Sequence, residues 1–275
     1  MSDCLIEKRP DGVAVITLNR PESLNSLGGD LVPLLEEHLN DCERDPAVRC
    51  VALTGAGRAF CAGGDIGGMQ KRNDRQTEDA NSPANTIAHL ERLTRELKRS
   101  QRATSLKLHT MGKPTVALVN GHAVGAGLSL ALACDMRIAG DRAKFGTAFR
   151  NVGLSGDYGS SYFLPRIVGP TKARDLFFSA EIFDAARALE LGIVSRVVPG
   201  DDLLAEGLAF CAKLATGPTA AYARMKDNLA FAETATLAEL LDHEAMHQRL
   251  AGMSRDSREA VASFLEKREA RFTGE

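Results

Sequence analysis

The sequence predicts an α/β fold: twisted, mostly parallel β-structure flanked by helices, closed by a helical carboxy-terminal region. Three observations predict it. The runs at 48–53 and 115–119 are short, apolar and free of polar alternation, as suits strands buried on both faces of a parallel sheet. Such runs alternate with segments whose apolar residues recur at helical spacing, which argues against all-β and all-α classes. From Asp201 onward every segment reads as helix. A chain of 275 residues suits one sizeable core, here an α/β part at 1–200 followed by a helical part at 201–275.

Leu5 to Lys8 and Val13 to Leu18 flank Pro10-Asp11-Gly12 and predict a hairpin. From Leu27 the apolar positions 27, 31, 34, 35, 39 and 42 mark a helix that Ser26 can cap and Asp45-Pro46 ends. A strand at 48–53 runs into the tight turn Thr54-Gly55-Ala56-Gly57. Residues 70–83 are polar, lack periodicity and read as a solvated loop. Helical spacing returns from Thr86 to about Leu108, and Gly112-Lys113-Pro114 introduces the strand at 115–119. A buried helix at 128–134, strands at 135–139 and 144–146, and a helix at 160–168 follow. Pro170 opens the next helix, where its missing N–H costs nothing. Strand, helix and strand at 182–198 lead to helices at roughly 201–215, 219–230, 235–251 and 255–270. One sheet is expected to collect the strands.

Composition narrows the function. A formal charge of -2, with charged residues at 25%, gives no field that would gather nucleic acid or anionic lipid, so neither is an expected partner. No run of 18 apolar residues spans a membrane, and no secretory signal opens the chain. Six cysteines without paired spacing are expected to be reduced core residues. These traits set a cytoplasmic expectation.

Two glycine-rich bends carry the chemistry. After the strand at 115–119, Asn120-Gly121 turns the chain and Gly125-Ala126-Gly127 precedes an apolar helix. Backbone N–H groups at such a helix start can hold an anion or oxyanion. The second bend is Cys61-Ala62-Gly63-Gly64-Asp65. Arg58-Ala-Phe-Cys-Ala-Gly-Gly-Asp-Ile66 and Asn120-Gly-His-Ala-Val-Gly-Ala-Gly-Leu128, with Asn19-Arg-Pro21 and Phe145-Gly146, closely resemble the enoyl-CoA hydratase/isomerase (crotonase) superfamily. The resemblance covers nearly the whole chain and implies the ClpP/crotonase fold. It also implies a coenzyme A thioester substrate, no tightly bound cofactor, and an oxyanion hole formed by the N–H groups of Ala62 and Ala126. Such donors favour the enolate over the substrate carbonyl.

The sequence departs from the family at the acid/base positions. Family hydratases use two glutamates, and here Ser129 and Phe149 stand in their places. Phenylalanine moves no proton, and a serine needs an activating neighbour. Asp157, in Leu154-Ser-Gly-Asp-Tyr158, falls where the resemblance to some family members, including dienoyl-CoA isomerases, ring-modified phenylacetyl-CoA isomerases and aryl-CoA dehalogenases, implies a catalytic aspartate. The alternative role for Asp157 is a helix cap. One carboxylate suits double-bond isomerisation; water addition through Asp157, dehalogenation, and a non-catalytic CoA-ester-binding role are the other readings. Ser129, Tyr158, His122 and Phe149 are candidates to assist or line the pocket. Cys61 and Ser129 as nucleophiles lack a visible base.

The resemblance further places coenzyme A on Ser23, Leu24, Ala62, Gly64 and Ile66, with Phe264 and Lys267 enclosing the nucleotide, often across a subunit boundary. It implies a homotrimer or a dimer of trimers, with the helical region used for assembly and for closing the site. His243-Glu-Ala-Met-His247 fits the H-E-x-x-H zinc pattern literally. No third ligand is evident downstream, and no metal is expected.

Overall fold

The computed structural model describes residues 2–68 and 83–275. The loop expected at 70–83 therefore lies outside the described residues, Pro83 excepted.

Two sheets form instead of one. The six-stranded sheet has the order β1-β2-β3-β5-β7-β10, from Cys4–Lys8, Val13–Leu18, Cys50–Gly55, Thr115–Val119, Met136–Gly140 and Arg196–Val198. Its strands run parallel apart from the β1–β2 hairpin. The four-stranded sheet has the order β4-β6-β8-β9, from Ala59–Cys61, His122–Val124, Lys144–Gly146 and Phe183–Asp184. Each of β3, β5 and β7 ends in a short bend and is followed by a strand of the second sheet: β4, β6 and β8. A three-residue strand is too short to show periodicity, so β4 and β6 were hidden within the predicted turns. Gly121 makes the crossing possible, because a Cβ there would stand 2.1 Å from the carbonyl oxygen of Arg58.

Helix α1 (Leu31–Arg44) buries Leu31, Leu35, Leu39 and Cys42 along one stripe. It starts four residues after the expected Leu27. Gly28 and Gly29 interrupt the helix, Gly29 at φ +55°, and Leu27 instead donates its N–H to Gly63 O at 2.7 Å. Asp30, rather than Ser26, occupies the cap position. Helix α2 (Pro83–Gln101) passes through a π-helical turn at Arg102–Leu106 into α3 (Lys107–Thr110). Helix α4 (Ala126–Ala133) is buried at all eight positions and forms the centre of the larger core.

Helices α5 (Ser160–Val168), α6 (Pro170–Ser179) and α7 (Ala185–Glu190) follow. Helix α8 (Leu203–Ala215) sets Leu203, Cys211 and Ala215 against Val13, Val15, Cys50, Ala52, Val116, Leu118 and Ile138. The second face of the main sheet is thus covered from beyond residue 200, so the core extends into the helical part. The chain closes with α9 (Thr219–Ala232), α10 (Leu237–Gly252) and α11 (Arg255–Glu266). Arg49, just before β3, donates to Thr219 Oγ1 and to the carbonyl oxygens of Gly217 and Phe272, tying the carboxy-terminal end to the start of that strand. All six cysteines are free and buried.

Candidate active site

The two bends meet because glycine removes the side chains that would hold them apart. A Cβ on Gly63, at φ +95°, would stand 2.8 Å from Val124 O and 3.3 Å from Ala126 N; one on Gly127 would stand 2.0 Å from Cys61 O. Gly125 adopts φ +56°, a conformation open to glycine at little cost. Ala126 is the first residue of α4, and its N–H has no hydrogen-bond partner among the described residues. A helix-start donor left free in this way carries the positive end of the helix dipole.

Ala62 does not match its expected role. Its N–H donates to Leu24 O at 2.9 Å and is already spent on holding the 20–25 turn. The free donor is two residues on. Gly63 O accepts from Leu27 N, and in a planar trans peptide the adjoining N–H of Gly64 must point away from that loop. Gly64 N–H has no partner among the described residues. Regular alternation would turn the N–H groups of Ala62 and Gly64 to the same side; Gly63, at φ +95°, breaks it, and no sequence pattern separates the two donors. Asn25, which sequence reasoning missed, fixes this turn: fully buried at φ +57°, it donates to Ala56 O and Ala59 O and accepts from Arg20 N.

Asp157 precedes α5, the helix that packs on α4. Its side chain caps nothing. The N-cap residue of α5 is Gly159, with no side-chain cap bond, and Ser160 bonds only to the main-chain oxygen of Asp157. Asp157 Oδ1 is buried without a hydrogen-bond partner among the described residues. Burial pushes the carboxyl pKa up to about 6. Next to it, Tyr158 is held at φ +51° by a hydrogen bond from its N–H to Gln101 Oε1 at 3.0 Å. Gln101 is the last residue of α2 before the π-helical turn, a contact between segments 57 residues apart that no local motif could disclose. Tyr158 itself is buried in the larger core, and that burial raises its phenol to about 12.

The other expected residues separate into several environments. Ser129 is fully buried and donates to Gly125 O at 3.2 Å, a bond within its own helix, so its hydroxyl is not offered to a pocket. Phe149 is buried, stacks on Phe177 at 6.2 Å, and reaches to 3.8 Å from the Cβ position of Gly125. It also lines a cavity of about 510 Å³ with Leu154, Ser155, Pro170, Arg174 and Phe178. His122 is exposed on β6, its side chain opposite that of the core residue Ala123. Cys61 is fully buried and its thiol is pushed up to about 12, which removes it as a nucleophile. Asp65 caps the chain after the bend, accepting from Gly68 N at 3.0 Å.

Of the expected coenzyme A residues, Ser23, Leu24, Ala62 and Gly64 lie together through the Ala62–Leu24 bond and the pairing of Leu27 with Gly64, and Ile66 is exposed beside them. Phe264 and Lys267 lie elsewhere in the chain. Helix α11 packs on α10, and the segment after it is tied to Arg49 at the opposite end of β3 from the bend. Phe264 is 83% exposed.

Paired strands that each bend through glycine into a second sheet, with unspent amides where the bends touch, define a crotonase-fold protein. The chain belongs to the enoyl-CoA hydratase/isomerase family, whose model matches residues 8–275. It is 39% identical to the 1,2-epoxyphenylacetyl-CoA isomerase of Escherichia coli over all of both chains. It is 29% identical to the crotonyl-CoA hydratase of Syntrophomonas wolfei, covering 98% of this chain and 97% of that one. The solved enoyl-CoA hydratase of Polaromonas superposes with a TM-score of 0.87 at 31% identity, covering 98% of this chain and 99% of the other. This is a family of enzymes acting on coenzyme A thioesters. Among the described residues no helix is long and apolar enough to cross a membrane.

Proposed function

We propose that the protein isomerises the double bond of an unsaturated acyl- or aryl-CoA through an enolate, with Asp157 as the single proton carrier. The thioester oxygen sits between the N–H groups of Gly64 and Ala126, which stabilise negative charge only once a proton has left the conjugated carbon. The Asp157 carboxylate removes that proton and returns it at another carbon of the same conjugated system. No water is consumed and the mass is unchanged.

The observation that carries this reading is the buried, unpartnered oxygen of Asp157, in a chain whose two other acid/base positions hold Ser129 and Phe149. A carboxyl with a pKa of about 6 is ionised at neutral pH yet basic enough to take a carbon-bound proton from an activated thioester. The phenyl rings of Phe149 and Phe177 suit an aromatic or flat unsaturated acyl group, in keeping with the isomerase name of the Escherichia coli relative. Phe264 and Lys267, both exposed, reach the nucleotide of a neighbouring subunit in a homotrimer or dimer of trimers.

The test is mass spectrometry of products from enoyl-, dienoyl- and aryl-CoA esters in heavy-oxygen water. Isomerisation gives a shifted double bond at constant mass. Incorporation of solvent oxygen into a 3-hydroxyacyl product would replace this reading with hydration, and binding without turnover would replace it with a non-catalytic role.

A further inference from the structure

The H-E-x-x-H match in the helical region acquires a partner that the sequence did not reveal. The third ligand lies upstream, on the preceding helix. His243 and His247 are one turn apart on α10, and Asp227 comes from α9, which packs against it. Asp227 Oδ2 is 3.0 Å from His243 Nε2 and 3.5 Å from His247 Nε2, and one ligand atom from each of the three residues lies within 4.8 Å of the others. A tetrahedral zinc ion with bonds of about 2.0–2.1 Å sets its ligand atoms roughly 3.3 Å apart, between those two separations.

The hydrogen bonding around His247 points the same way. Its Nδ1 lies 2.8 Å from Asn228 Oδ1, an amide oxygen that can only accept, so Nδ1 carries the proton. That leaves Nε2 as the ring nitrogen facing the Asp227 carboxylate oxygen. His247 is only 9% exposed there, and a metal ion between the two would bind both. An outer hydrogen bond from the remote imidazole nitrogen is also how metal-binding histidines are oriented. Phe231 stacks on His243 at 4.4 Å and fixes the second ring. The Asp227 side chain is 61% exposed, which leaves a route from solvent and room for water as a fourth ligand.

We propose that Asp227, His243 and His247 bind one divalent cation of the zinc class, joining α9 to α10. The ligands come from two packed helices, so the ion acts as a clamp between them.

The full chain, stripped with a chelator and dialysed, is titrated with Zn2+ by calorimetry and melted with and without one equivalent. Binding of one ion per chain with a rise in melting temperature is expected. Asp227→Asn, at an exposed position, should keep the fold and weaken binding at least about tenfold, and Asn228→Ala should weaken it about 10–100-fold. His243→Gln should behave like Asp227→Asn. Failure of the wild type to bind Zn2+, or equal binding by the wild type and an Asp227→Asn/His243→Gln double variant, overturns the proposal. In the first of these cases the three side chains are a hydrogen-bonded histidine–carboxylate cluster.

Discussion

In the proposed mechanism, Asp157 places catalysis and stability in opposition at a single side chain. Its folded-state pKa of about 6 lies above the ordinary carboxyl value of 3.8, so the folded protein holds this proton more tightly than the unfolded chain does. Below about pH 4 the group is protonated in both states and costs nothing. As pH rises from about 4 through 6 the unfolded chain releases this proton before the folded protein does, and stability falls by ~1 kcal/mol once screening of the partly exposed group is allowed for. Asp157→Asn should therefore gain about that much at pH 8 and nothing at pH 4, measured by urea denaturation at each pH. The same variant should lose turnover by about 100-fold or more, the usual scale for one acid/base group, with CoA-ester binding retained. For the wild type, kcat/KM should rise with pH along a single-proton limb centred near 6. A flat profile between pH 5 and 7 would remove the carboxylate from the rate-limiting proton transfer.

The bends depend on small residues for contact rather than for flexibility alone, and the glycines can be told apart on that basis. Gly127→Ala would drive a methyl group against the backbone oxygen of Cys61, so it should cost about 3 kcal/mol and abolish turnover by separating the two donors. Gly153→Ala, at φ +67° with nothing within 4 Å, should cost only ~1 kcal/mol of backbone strain and leave turnover intact. Denaturant midpoints and initial rates on the pair decide this. Much of this layer was legible in the sequence: α4 from its unbroken apolar run, β3 and β5 from theirs, and the bends from paired glycine motifs. What escaped was set by tertiary contact. The split into two sheets rests on three-residue strands, the start of α1 on the pairing of Leu27 with Gly64, and the assignment of the first donor on which side of a peptide plane meets the 24–27 loop. Asp157 was legible as a residue, but its freedom from capping was not, because that depends on Gly159 taking the cap position.

At the scale of the whole chain, the carboxy-terminal end is anchored away from the bends by Arg49, yet α11 leaves Val261, Phe264 and Leu265 60–83% exposed. In the homo-oligomer proposed above, a neighbouring subunit covers those side chains, and Lys267 adds a charge for the nucleotide phosphates. Phe264→Glu should lower the mass seen by light scattering, whereas Lys267→Ala should raise KM for the CoA ester about tenfold with kcat unchanged. An unaltered KM would mean that Lys267 does not meet the nucleotide. The six buried cysteines have a practical consequence. Burial lifts the thiols of Cys4, Cys61 and Cys134 to about 12 and that of Cys42 to about 11, so these four carry almost no thiolate near neutrality, and all six cysteines lie buried. An alkylating reagent such as iodoacetamide has nothing to attack until a molecule opens. Its uptake is a clock for that opening, readable by intact mass without an added dye or tag.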